Sequence, residues 1–269
     1  MTLSQSVASP AAPALGRVLL FAAIPVLTMS LGALLSTVWL PKRRMRSLIQ
    51  HFAAGVVFSV ISVELLPDFL HEDVIWIVAL GFSAGVALML ALRLIPGAAP
   101  PHQLIVGSGD EETDSPSSNA IGLLVPIGID SLLDGVLIGI GFLAGGHAGV
   151  LLALALGLEM FSMGLALATT IRGPGSSRPR HRAAGALVTI GLSLLILVGA
   201  AAGITFLGHL SPHAVSGVLA FASAALLFLV TEELLVRAHE NAETALATAM
   251  FFVGYLAFLV LGMLGEVGR

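Results

Sequence analysis

Three carboxylates of this chain fall inside stretches that are otherwise apolar. The segment Val125-Pro-Ile-Gly-Ile-Asp130-Ser131-Leu-Leu-Asp134-Gly135 sets two of them four residues apart. In a helix that separation stacks both side chains on one face, a turn apart. Two like charges so placed repel, and the arrangement becomes stable when one is protonated or when a cation lies between them. A second segment, Gly157-Leu-Glu159-Met-Phe-Ser162-Met-Gly164, puts a carboxylate and a hydroxyl three residues apart on a shared face. The short connection Gly145-Gly146-His147 makes the two helices antiparallel neighbours. Asp130, Asp134 and Glu159 are therefore expected to converge with the hydroxyls of Ser131 and Ser162, an oxygen set suited to a divalent ion. The plainer alternative is that the acids bond backbone groups or stay protonated as contacts between helices. In either case each is costly, about 2.5–3.5 kcal/mol at the centre of a membrane helix.

The elements that would position these groups are membrane spans. The chain has 269 residues, is 57% hydrophobic and 10% charged, and has a mean hydropathy of +1.01. Its charges gather in short clusters between apolar stretches of about 20 residues, the length that crosses about 30 Å of hydrocarbon. Long Leu, Ala, Val and Gly runs without strand-like alternation must be helices, because lipid supplies no partners for the backbone. Spans are expected at 15–40, 48–70, 74–95, 119–144, 148–172, 183–207, 213–236 and 244–266, the first retained as a span and not removed as a signal peptide. The expected fold is an all-α integral membrane protein with eight transmembrane helices in one polytopic domain, 1–269. A Pro-, Gly- and Ser-rich connection at 96–118, carrying Asp110, Glu111, Glu112 and Asp114, is expected to be mobile.

Of the 12 basic residues, Lys42, Arg43, Arg44, Arg46, Arg93, Arg172, Arg178, Arg180, Arg182 and Arg237 fall on one side of these spans, and only Arg17 and Arg269 on the other. The positive-inside rule makes the first side cytoplasmic and puts both termini outside, in the plasma or inner membrane. The segment Phe52–Leu66 aligns with Phe221–Leu235, sharing Phe52/Phe221, Ala53/Ala222, Glu64/Glu233, Leu65/Leu234 and Leu66/Leu235. The two segments run in opposite directions through the membrane, so spans 1–3 and 6–8 would form an inverted repeat around spans 4 and 5. Glu64 and Glu233 lie nearer span ends, where pathway residues and snorkelling anchors look alike. His51, at the cytoplasmic start of the second span, is placed to receive a departing ion or to sit at the interface as a surface residue.

Cysteine is absent, so a metal would bind through oxygen, nitrogen or thioether groups. Neither a nucleotide-binding loop nor a His-Glu-x-x-His motif occurs, so no enzyme and no cofactor are expected. No basic stripe of the kind that binds nucleic acid is present.

Taken together, these residues resemble the ZIP (Zrt-, Irt-like protein) family of divalent metal transporters. The likeness lies in eight spans with both ends outside, the long cytoplasmic connection, Phe52-Ala-Ala-Gly55…Glu64-Leu-Leu-Pro67, and Asp130-Ser131-x-x-Asp134-Gly135 where the family has His-Asn-x-x-Asp-Gly. The fifth span keeps only Glu159 and Gly164 of the pattern His-Glu-x-Pro-His-Glu-Gly, with Leu158 and Met163 replacing ligands. The resemblance implies a secondary transporter that carries a divalent metal into the cytoplasm, with Asp130, Ser131, Asp134, Glu159 and Ser162 lining its site. Without the motif histidines it implies a single oxygen-rich site, with zinc, manganese or iron as substrate, the lipid bilayer as surroundings and a homodimer as a candidate assembly. A ZIP-like protein of changed substrate, or a metal-binding membrane regulator that does not transport, is the alternative.

The topology is directly testable because the chain has no native thiol. In right-side-out vesicles, Cys at position 209 (His209→Cys) should react with an impermeant maleimide, whereas Cys at position 108 (Ser108→Cys) should react only after permeabilisation.

Overall fold

The computed structural model describes residues 15–39, 43–67, 75–93, 118–172, 179–231 and 245–267, and every element among them is helical. In chain order these are α1 (Leu15–Val38), α2 (Arg43–Val60), α3 (Ile75–Arg93), α4 (Ser118–Ala144), α5 (Gly146–Arg172), α6 (Pro179–Leu207), α7 (Pro212–Leu229) and α8 (Ala245–Val267). They follow the expected spans closely, with two differences. α2 begins at Arg43, five residues ahead of the apolar stretch, because nothing in Arg43–Ser47 terminates a helix and the basic turn can lie at a membrane surface. α2 also does not end as an α-helix: Ile61–Leu65 forms a π turn that contains Glu64.

Among the described residues, six helices are long and apolar enough to cross a membrane, and shorter apolar helices lie at Ile75–Ala91 and His213–Leu229. α7 starts at a true cap, where Pro212 follows Ser211 and the Ser211 hydroxyl accepts from the Ala214 amide. At its far end α7 passes into a π turn at 230–231. The expected acidic connection at 96–117 and the stretch with Glu233 lie outside the described residues.

Burial separates the helices into centre and rim. In α5, 78% of the apolar stretch is buried, against 17% in α8, so α5 is the axis and α8 faces outward. α1, α2, α4 and α6 pack around α5, α3 packs on α7, and α8 packs on α2. The outward faces carry Leu20, Leu27, Trp76, Leu80, Phe252 and Leu256 fully in the open, which is the composition that hydrocarbon accepts and water does not.

Helices approach this closely because glycine removes the side chain at the crossing. A Cβ at Gly164 of α5 would overlap the Met29 carbonyl of α1, and one at Gly32 would overlap the Phe161 carbonyl in return. On the other side of the axis, Gly135 of α4 lies against Ile196 of α6, and Gly199 of α6 lies against Leu132. Gly135 and Gly32 thus sit close to the acids of α4 and α5 and draw the surrounding helices onto them. Gly191, by contrast, faces open space.

Gly164→Ala and Gly135→Ala are each expected to cost about 1–3 kcal/mol through forced separation of the helices. Gly191→Ala, which meets nothing, should be neutral or stabilising by up to about 1 kcal/mol. Thermal unfolding of the detergent-solubilised protein distinguishes the two classes.

Candidate functional site

α4 is unbroken through Asp130 and Asp134, so the two carboxylates do project from one side a turn apart. Asp134 is buried at 2% exposure, Ser131 at 0% and Glu159 at 2%, with Ser162 also buried at 5%. Asp130 is half-buried, although its Oδ2 atom is enclosed. Across the contact between α4 and α5, a negative charge on Asp130 repels one on Glu159, so these two acids are within electrostatic reach of each other.

What most sets this region apart is hydrogen bonding that is not made. Both carboxylate oxygens of Glu159, Oδ2 of Asp130 and the hydroxyl of Ser131 are buried and have no hydrogen-bond partner among the described residues. Elsewhere in the bundle, hydroxyls find carbonyls of their own helix: Thr28 bonds Pro25, Ser30 bonds Val26, Thr189 bonds Gly185 and Thr205 bonds Ala201. A buried polar group left without a partner costs about 1–3 kcal/mol, and a charge more. The unbonded oxygens of α4 and α5 therefore work against stability.

Two further hydroxyls share this condition, those of Ser59 on α2 and Ser223 on α7, and α2 and α7 touch each other and pack on α5 and α4 respectively. Sequence reasoning passed over both. Their signal was weak: each is a lone serine in an apolar run, a pattern that more often ends in a bond to the preceding turn.

The acids stand on two helices that pack together, and among the described residues no group of three His, Asp or Glu side chains that could hold an ion is found. Asp134 lies one turn, about 6 Å, along α4 from Asp130.

The outlying residues divide. His51 is buried at 6% exposure, not on the surface, and its Nδ1 lies 2.7 Å from the Ser47 carbonyl. A carbonyl only accepts, so Nδ1 donates there, and Nε2 is the ring nitrogen left for any other partner. Glu64 reaches across to α5, where its Oε2 lies 3.2 Å from Nδ1 of His147. Sequence reasoning used His147 only as part of a loop, and no local signal paired it with a residue 83 positions away. Glu233 lies outside the described residues. Compared with known proteins, the chain matches no family model and no curated sequence.

Because an orphaned buried hydroxyl and an unpaired buried charge cost stability, removing the Ser131 hydroxyl or the Glu159 charge should not harm the fold. Ser131→Ala and Glu159→Gln are expected to leave the unfolding midpoint in metal-free detergent unchanged or raised, the reverse of the usual effect of changing a buried polar residue.

Proposed function

We propose that the chain is a secondary transporter for a divalent metal cation, moving it across the membrane through the region between α4 and α5. The observation that carries this reading is the Glu159 carboxylate, enclosed in the most buried span with neither oxygen bonded. A doubly charged ion between α4 and α5 would supply the partner that Glu159, Asp130 and Ser131 lack and would offset the repulsion between the two acids. Oxygen donors of this kind hold divalent ions broadly, with zinc, manganese and iron the candidate substrates. Asp134 and Ser162, buried on the same two helices, complete the set once the ion draws the donors inward.

Movement of such an ion needs two arrangements of the helices around it. An inverted repeat would provide them, and two observations support that reading. The packing contacts of the bundle map onto one another when α1 is exchanged with α6, α2 with α7, α3 with α8 and α4 with α5: α1 on α5 becomes α6 on α4, and α2 on α8 becomes α7 on α3. The π turns begin at Ile61 in α2 and at residue 230 in α7, which are equivalent positions when Phe52 is aligned with Phe221. Two bodies related in this way can rock about a central site and expose it alternately. ZIP-like transport into the cytoplasm is the specific form of this proposal.

One observation favours a second reading. Because no three His, Asp or Glu side chains are gathered among the described residues, proton movement through Asp130 and Glu159 without a metal is the rival, and it predicts flux that follows a pH gradient alone.

Metal uptake into proteoliposomes decides between them. Wild-type protein should accumulate Zn²⁺ or Mn²⁺, and Glu159→Ala and Asp134→Ala should each lower the rate by at least about tenfold. Equal flux in all three proteins would remove the proposed site.

A further inference from the structure

Glu64 and His147 are brought together where α2, α5 and α8 pack against one another. The π turn of Ile61–Leu65 in α2 carries Glu64, and a π turn, with its wider ring, often marks a functional position in a helix. His147 stands in the first turn of α5, directly after the break at Gly145. Gly262 of α8 provides the space, since a Cβ there would lie 3.0 Å from Oε1 of Glu64. One turn before the π segment ends, the Ser62 hydroxyl lies 3.4 Å from the Tyr255 hydroxyl of α8, which further ties the π turn to α8.

The pair is neither sealed nor fully open. Exposure is 20% for the His147 side chain and 14% for Glu64, so both groups are partly accessible while most of each ring and chain is enclosed. The contact between Nδ1 and Oε2 is 3.2 Å, long for a charge-assisted hydrogen bond, for which about 2.7–2.9 Å is usual. Two donors that share one ion at about 2.0–2.1 Å stand about 3.3 Å apart along a tetrahedral edge. The separation lies within the ordinary N–H···O range of about 2.7–3.2 Å, so it suits a hydrogen bond and equally suits two ligands of one ion.

We infer that Glu64 and His147 form a second metal site, an entry site at the α4–α5 end of the bundle, that takes a divalent transition ion with water completing its coordination. The inference extends the transport reading but occupies different residues. From His147 to Glu159 is 12 positions along one helix, about 18 Å, and the intervening Leu151, Leu152 and Leu156 are buried apolar residues. Imidazole with carboxylate selects zinc, cobalt or iron over magnesium and calcium. Affinity is held down by Arg17, whose guanidinium lies against Gly146, next to His147. An ion that must move on is served by such a weak site.

Co²⁺ titration of the purified full-length protein, followed by the visible absorption of the bound ion, tests this. Wild-type protein should develop the intense bands of a four-coordinate Co²⁺ site. Glu64→Gln and His147→Gln should each weaken this binding by roughly tenfold or more, and Glu159→Gln should leave it in place. Gly262→Ala serves as a third variant that keeps both ligands and displaces the Glu64 carboxylate, and the same loss is expected. If Glu64→Gln and His147→Gln, both monodisperse and helical, titrate like wild type, the entry site is overturned and the pair is an ordinary hydrogen bond. If they lose the bands while Glu159→Gln retains full metal uptake, the entry site stands and the central transport site fails.

Discussion

The burial of a carboxylate on the innermost helix governs the design of this bundle. α5 is enclosed by α1, α2, α4 and α6, and Glu159 lies in its middle with neither oxygen bonded. A carboxylate taken out of water costs several kcal/mol unless a counter-charge or hydrogen bonds replace its hydration. A span built only to be stable would carry Leu at this position. The glycines at the crossings with α1 and α6 make the exclusion of water more severe, because they let backbones approach until no solvent fits between them. Tight packing and an unsatisfied acid are opposed on stability grounds, and the opposition is relieved when the acid is protonated or a cation lies beside it.

The same reasoning separates the central helices from the rim. α8 and α3 bury little and face hydrocarbon with Trp76, Leu80, Phe252 and Leu256, yet each is held to one partner by mutual glycine contacts. Gly55 of α2 meets the Phe251 carbonyl of α8 while Gly254 of α8 meets the Phe52 carbonyl of α2, and Gly81 of α3 meets Gly217 of α7. α2 with α8 and α7 with α3 thus pack as two close pairs. Each pair contains a π turn where its inner helix nears an end. On the proposed transport reading, the motion would be taken up at the contacts between these pairs.

Much of this arrangement was legible from residue types. Long apolar runs fixed the helices, and burial of Asp134, Glu159, Ser131 and Ser162 followed from the expense of placing them in spans without a reason. Depth and partnership were not legible. His51 reads as an interfacial residue because it follows a basic turn, and only the packing of neighbouring helices shows it enclosed with its Nδ1 committed to Ser47. The contact between Glu64 and His147 spans 83 positions and depends on a π turn, a local change of helical winding that no pattern of apolar residues encodes. The convergence of three acids was expected from spacing alone, but an i, i+4 pair separates its Cα atoms by about 6 Å along the axis. Whether both members reach one point then depends on side-chain rotamers, which respond to charge and not to spacing.

On the proposed reading, the two groups of ligands divide the labour of selection. An all-oxygen centre discriminates poorly between transition ions and the far more abundant magnesium and calcium, since each of them is content with carboxylate and hydroxyl donors. Discrimination must then come before the ion reaches the centre or from its geometry. Imidazole is the donor that makes the distinction, and in this chain it stands at the mouth as His147 and, if His51 serves at the opposite end, on the far side as well. On that reading, imidazole at the approaches would supply the selectivity that an oxygen centre lacks. Such a division lets the centre bind loosely enough to release its ion, because an oxygen set that need not select need not bind tightly either.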